Sequence, residues 1–522
     1  MKLKQLIKFN EKERLCALLI ILTGILIRIV DFGNTPCGFN QDEAFAGYEA
    51  FSLLNYGIDS AGYHNPCYFV SWGSGMNVLE SYLAIPFFKL FGCSVTSFRL
   101  PQLIFSCISL PFFYLLLKKA FDPKTALLGL SLLVISPWHI MISRWGLESN
   151  FAPAFLLIGF YFFIKGIHKN KYWVVSAIIY GLSLYSYSIT WIVVPLTILV
   201  YGIYLFINKQ KILLRYVLIS GSVLFVFALP LILFLLVNTG FISEISNSFI
   251  SIPQLSKIRL SEISINNIFL PKTYYNLFKI LINQHDGLIW NSIFDFGLFY
   301  KISLPFIILG AVKITTVALC QIRLKKFCIQ VMILLGTSCS LFTCLLIDNL
   351  NVNKANSLHF YILIMLTIGI KEAFSIFKKY IIIKKAILFS YAMSFIFFFS
   401  FYLSDYNNQI SYDFRSGLED AVQFAKQLPS DICLDSSIYY SQVLFYDQTP
   451  TDVFLNTVEY SNYTSAFLHV EKFSHYKFGF DPENLDPEKV YIIKNEMEEI
   501  FLKESFKTET FENYSVAYNN YN

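Results

Sequence analysis

Apolar stretches of membrane-crossing length recur along most of this chain, near residues 15–30, 100–117, 125–143, 151–167, 172–188, 189–207, 216–237, 302–320, 329–347, 357–374 and 386–403. A transmembrane helix needs roughly 17–25 predominantly apolar residues, so these eleven runs predict a polytopic α-helical membrane protein. Composition agrees: 55% of residues are apolar and 15% are charged, against about 25% charged in soluble domains. A disordered protein, a nucleic-acid binder and an ordinary soluble enzyme are thereby excluded.

The net charge of +5 conceals a division by position. Residues 1–403 carry 33 Lys/Arg and 16 Asp/Glu, whereas the remainder carries 8 and 20. The chain therefore reads as a membrane module over 1–403 followed by a soluble domain over 404–522. In the tail a helical pattern in SGLEDAVQFAKQL and strand-like DICLD and YIIKN predict a small α/β domain.

Short connections rich in Lys/Arg should all face the cytoplasm. The basic N-terminus and the connections KKAFDPK, KGIHKNK, NKQKILLR, RLKK and KEAFSIFKKYIIIKK together hold 22 Lys/Arg and four acids. They share one side only if the apolar stretch 76–92, interrupted by Glu80, Pro86 and Lys89, does not cross. That stretch is expected to be a helix lying along the outer interface. The segment after the first span lacks a small-x-small cleavage site, so this span is read as retained rather than as a signal peptide. The expected topology has the N-terminus cytoplasmic. The segments 31–98 and 238–300, the loops near 144–150 and 348–356, and the tail lie outside the cell membrane. Abundant Ile, Lys, Asn, Phe and Tyr fit an AT-rich bacterial genome.

Three polar features fall on that outer side. Asp42 and Glu43 open a stretch whose Ala44, Tyr48, Phe51 and Leu54 recur at helical spacing. A helix cap is the bland reading, and a general base for a hydroxyl is the chemical one. Arg144 and Glu148 stand four apart in SPWHIMISRWGLESNFAP, a spacing that suits a weak ion pair on one helix face. Lys354 is the only base of the Asn-rich 348–360 segment. With Arg144 it is a leading choice for holding an anionic phosphate, to which a charge-assisted bond contributes about 1.5–3 kcal/mol. Arg28 is expected to pair with Asp31. The ten cysteines read mostly as apolar fillers, with a Cys37–Cys67 disulfide open, and Asp286 and Asp295 with nearby aromatics suit an interfacial belt or a groove. No metal-ligand spacing, Walker A sequence or dinucleotide fingerprint occurs, so no cofactor is expected.

The order of these motifs resembles the polytopic glycosyltransferases of the GT-C superfamily, and within it glycosyltransferase family 39, which contains protein O-mannosyltransferases and lipid A aminoarabinose transferases. The likeness covers roughly residues 10–400 and is strongest in the first 200. It implies an inverting transfer of a sugar from a polyprenyl-phosphate donor to an envelope glycan, lipid or protein acceptor. By that resemblance Asp42 is the catalytic base, and Glu148, where relatives usually have Asp, is the second acidic residue of the catalytic site, orienting donor or acceptor. Glu43, Arg144 and Lys354 would then be substrate-binding, the two cations near the lipid phosphate. Relatives often have Arg where Lys354 stands, and a first-loop basic contact of some members has no counterpart. Some GT-C enzymes use a divalent metal, although nothing in this sequence requires one. Membrane lipids are expected partners and nucleic acid is not.

The alternative function is a lipid-linked sugar flippase or secondary transporter. Transporters place ionisable groups near the midplane and show related halves, whereas these acids cluster at one interface and no internal repeat is visible. A diphosphate-dependent polymerase or ligase, and a receptor with a binding tail, are the remaining rivals.

Overall fold

The computed structural model describes residues 2–71, 74–256, 262–461 and 469–519. Parts of the first loop (72–73), of the 238–300 segment (257–261) and of the tail (462–468, 520–522) lie outside the described residues, as do the side chains of the basic residues 2–10.

Among the described residues, seven helices are long and apolar enough to cross a membrane: Val95–Ala120, Glu148–His168, Thr190–Ile207, Leu214–Asn238, Lys301–Arg323, His359–Ile376 and Ile381–Leu403. The other four expected runs form helices that are shorter or carry charges, Lys2–Ile29, Pro123–Val134, Lys171–Ser183 and Ile329–Leu345. Burial separates this architecture from a soluble bundle. Only 11% of the most apolar window of Leu214–Asn238 is buried, and 17% of that of Ile381–Leu403. Helices so apolar and so exposed need an apolar medium around them. The chain is a multi-pass membrane protein.

Contacts divide the chain into two compact units. The first comprises residues 1–32, 102–229 and 260–402, and helix packing dominates it. Its tightest crossing joins Leu304–Arg323 to His359–Ile376. A Cβ at Gly310 would come within 1.7 Å of the Met365 carbonyl oxygen, and one at Gly369 within 1.7 Å of the Phe306 carbonyl oxygen. Small residues are what allow helix backbones to approach this closely in a membrane.

The second unit gathers residues 33–101, 230–259 and 403–522. It contains helices Gln41–Tyr56 and Leu79–Phe91, a two-stranded ribbon of β1 (Ile245–Ser246) and β2 (Ser251–Ile252), and the tail. Helix Leu79–Phe91 has 13 residues, about 20 Å at 1.5 Å per residue, too short to cross. This agrees with reading 76–92 as a non-crossing helix. The tail forms a seven-stranded sheet from β3 (Ile432–Leu434), β4 (Glu459–Ser461), β5 (His469–Phe473), β6 (Tyr476–Phe478), β7 (Val490–Lys494), β8 (Lys507–Phe511) and β9 (Tyr514–Tyr518). Strand order is β4-β5-β6-β3-β7-β9-β8. Central β3 runs parallel to β6 and β7, while the other pairings are antiparallel. A small C-terminal α/β domain is therefore present.

The first loop is built into this unit. The fully buried helix Tyr440–Asp447 packs on Gln41–Tyr56. Gln442 Nε2 donates to the Phe39 carbonyl (2.6 Å), Tyr48 Oη to the Thr449 carbonyl (2.9 Å), and Ser52 Oγ lies 2.6 Å from Thr451 Oγ1. Contacts thus group residues 33–101 with the tail, a partition that the charge division at 403 does not reveal.

Candidate active site

The turn that presents Asp42 begins at Asn40, whose extended backbone caps helix Gln41–Tyr56. Asn40 Oδ1 accepts from the Asp42 amide (2.9 Å), and the Asn40 amide donates to Glu43 Oε2 (3.1 Å). These bonds belong to a capping box, which satisfies amides that no helical carbonyl can reach.

Glu43 is fully buried and so is its partner, Arg99, in the first turns of Val95–Ala120. Arg99 Nε donates to Glu43 Oε1 and Nη2 to Oε2, both at 2.8 Å. The remaining donors reach the carbonyls of Pro36 (2.8 Å) and Gly38 (2.9 Å), and the guanidinium lies 5.7 Å from the Phe39 ring centre. Such a bidentate pair fixes orientation as well as distance. Glu43 is thereby engaged with the protein through both oxygens, and its neighbour Asp42 is left partly exposed on the rigid first turn. A negative carboxylate is stabilised at this end of a helix.

Farther along the same helix, Glu49 is buried and accepts from the Ser60 amide (2.8 Å) and from Ser60 Oγ. Asp59 is buried beside it; its Oδ1 accepts from Ala61 N (3.0 Å) and Tyr63 N (2.7 Å), and its Oδ2 has no partner among the described residues. Burial raises Glu49 well above the usual carboxylate range and Asp59 to about 7. Neither acid stood out in the sequence.

In the first unit, Arg144 and Glu148 do not share a helix face as their spacing predicts. Arg144 lies in the turn after helix Pro137–Ile142, and Glu148 opens the next helix. Fully buried Arg144 caps the end of Lys2–Ile29. Its Nη1 donates to the carbonyls of Arg28 (3.2 Å) and Ile27 (3.5 Å), and Nη2 to that of Asp31 (2.7 Å). The Tyr402 ring centre lies 5.6 Å from its guanidinium carbon. A cation at a helix C-terminus meets the negative end of the dipole. Arg28 is also buried, and in place of the expected Asp31 pair it contacts His139 Nδ1 (2.7 Å from Nη2) and the carbonyls of Gly24, Leu133 and Val134.

Lys354 is partly buried; its Nζ donates to Glu262 Oε2 (3.2 Å) and the Asp348 carbonyl (3.3 Å). Beside it, Asn356 joins two of the sequence-selected loops. Its Oδ1 accepts from Trp138 Nε1 (3.2 Å), and its Nδ2 donates to the carbonyl of Ser149 (3.1 Å), next to Glu148. Sequence reasoning missed Asn356 and Trp138 because neither carries charge. Asp286, considered for a belt or groove, instead organises a turn: its Oδ2 accepts from Val352 N (2.9 Å) and Asn291 Nδ2 (2.7 Å). Cys37 and Cys67 are free thiols, so the possible disulfide is not formed. Among the described residues no group of three His, Cys, Asp or Glu could hold a metal ion.

Residues 78–235 match the family model of dolichyl-phosphate-mannose-protein mannosyltransferases. No curated protein sequence matches the chain. Among solved structures it is similar to ArnT from Cupriavidus metallidurans bound to undecaprenyl phosphate, with a TM-score of 0.58 and 10% identity over 96% of this chain and 97% of that one. The apo form of the same protein gives 0.56 at 10% identity, with the same coverage. The apo oligosaccharyltransferase of Archaeoglobus fulgidus gives 0.50 at 13% identity, over 84% of this chain and 64% of that one.

Proposed function

We propose that this chain, a membrane glycosyltransferase of the GT-C superfamily, takes its sugar from a polyprenyl-phosphate donor and transfers it with inversion to a hydroxyl-bearing acceptor at the extracytoplasmic face of the cell membrane. The observation that carries this reading is the turn at Asp42. Glu43 is clamped by Arg99 and by the Asn40 cap, while Asp42 beside it stays partly exposed. The full-length likeness to a fold that, in ArnT, is bound to undecaprenyl phosphate supports the class of donor.

In this mechanism Asp42 accepts the proton of the acceptor hydroxyl as its oxygen attacks the anomeric carbon from the side opposite the phosphate. The bond between that carbon and the phosphate oxygen breaks, and polyprenyl phosphate leaves with the electron pair. A general base of this kind contributes typically 10²–10⁴-fold. Arg144 and Lys354 oppose the charge that grows on the departing phosphate, an interaction that strengthens in the transition state. Among the described residues Lys354 Nζ donates to Glu262 and to the Asp348 carbonyl, and an ammonium has three donors. Glu148 orients donor or acceptor, and Glu43 acts on the substrate by holding Asp42 in place.

The test is to incubate purified protein with a panel of polyprenyl-phosphate sugars and follow the release of lipid phosphate. Release that requires Asp42 is the expected result. Near-normal release by Asp42→Asn would overturn the base assignment, and movement of sugar-lipid across a bilayer without chemistry would replace the transferase with a flippase.

A further inference from the structure

Residues 265–278 of the first unit turn several large apolar side chains outward while two polar ones are buried. Helix Pro271–Phe278 follows a short 3-10 turn, Ile265–Phe269. The polar side chains of Asn267 and Thr273 are buried against the protein. The exposed side carries Ile265, Phe269, Leu270, Tyr274, Tyr275 and Phe278 alongside Asn266 and Lys272, with Phe269 at 79% and Tyr275 at 63% exposure. A soluble surface places these residue types the other way round, and a contiguous apolar patch marks something that covers it.

The level at which this stretch sits identifies the cover. Apolar helices Ile329–Leu345 and His359–Ile376 are joined by a reversal at 346–358, and a reversal between two membrane-embedded helices lies at the bilayer surface. The 265–282 stretch is fastened to that reversal. Ser264 N and Asn267 Nδ2 donate to the Leu346 carbonyl (2.9 and 2.8 Å), Asp348 N donates to the Glu262 carbonyl (2.8 Å), and Lys272 Nζ pairs with Asp348 at 2.9 Å. Aromatic side chains with polar tips favour this zone, and cations such as Lys272 and Lys279 suit lipid phosphates.

We propose that residues 265–282 form an interfacial anchor that inserts Phe269, Tyr275 and Phe278 among the phospholipids of the surrounding bilayer and thereby sets the depth of the 346–358 reversal. The anchor rests on the chain being a membrane protein and stands apart from the transfer reaction. Its occupant is bulk phospholipid rather than a second copy of the chain or a bound prenyl lipid.

The full chain carrying p-benzoylphenylalanine at position 278, and separately at 275, is placed in nanodiscs of phosphatidylcholine and phosphatidylglycerol, illuminated and analysed by mass spectrometry. The same probe at position 502, an exposed tail position, is the reference. Phospholipid adducts several-fold more abundant at 275 and 278 than at 502 are expected. Equal yields at all three positions would overturn the anchor, as would adducts consisting mainly of chain dimers, or adducts at 275 and 278 that appear only when polyprenyl phosphate is added. Because an aromatic probe replaces an exposed aromatic residue, folding is preserved, and tryptic resistance of each variant checks this.

Discussion

Arg99 and Arg144 are both fully buried, and each is held by bonds to parts of the chain far away in sequence. Arg99 meets a carboxylate through two parallel 2.8 Å bonds. Arg144 also meets the carbonyls at the end of Lys2–Ile29, which are partial charges. A full charge pair holds one geometry and makes the loss of either member costly, because the survivor remains buried and ionised. A backbone carbonyl offers only a partial charge, so each such bond is weaker than a full ion pair. The Asp42 turn therefore rests on a full ion pair, which fixes the start of its helix.

The largest expected effect on activity is that of Asp42→Asn, a loss of roughly 10²–10⁴-fold in transfer with the melting temperature nearly unchanged. On stability, Arg99→Met strands buried Glu43 and should cost about 3–5 kcal/mol, read by thermal unfolding in detergent. Arg99→Met paired with Glu43→Gln should recover much of that cost. Arg144→Met removes at least the bonds to the carbonyls of Arg28 and Asp31 and should cost about 1.5–3 kcal/mol for each charge-assisted bond lost. Lys354→Met should raise the donor KM about tenfold, the equivalent of one charge-assisted bond, with kcat changed less.

The smallest effect is a pH dependence. Burial holds Asp59 at about 7 in the folded chain, above its ordinary value of about 3.9. Folding therefore favours the protonated acid. The stabilisation is fully present below the unfolded value and is lost as pH rises through 7. From about pH 4 up to about 7, and levelling off above it, the wild type should lose stability relative to Asp59→Asn, measured as a difference in melting temperature. Parallel curves for the two proteins would refute the assignment.

Much of the scaffold was legible because each membrane helix must be apolar along its own length, whatever it packs against. Among the described residues, seven of the eleven expected runs form helices long and apolar enough to cross a membrane, and the interrupted stretch 76–92 forms a helix of only 13 residues. Asp42 and Glu43 were visible as paired acids at a helix start. Arg99 was not singled out, although one signal was present: it is the first Arg in an apolar helix after a stretch, 29–88, with no Lys or Arg, and a cation there requires a counter-charge. Arg28 and His139 are 111 residues apart, and no local pattern predicts their contact.

The sequence by itself determined that the chain spans a membrane several times, that its tail is a separate kind of structure, and that Asp42 opens a helix. Local rules are sufficient for these, since hydropathy, helix capping and strand patterning act within a few residues. Only the tertiary structure decided that Glu43 faces Arg99, that Arg144 seals the end of the first helix, and that Asn356 ties Trp138 to the turn of Glu148. Those pairings form because a buried charge or amide must find a partner wherever the packed chain brings one within about 3 Å, and chain separation does not enter that requirement.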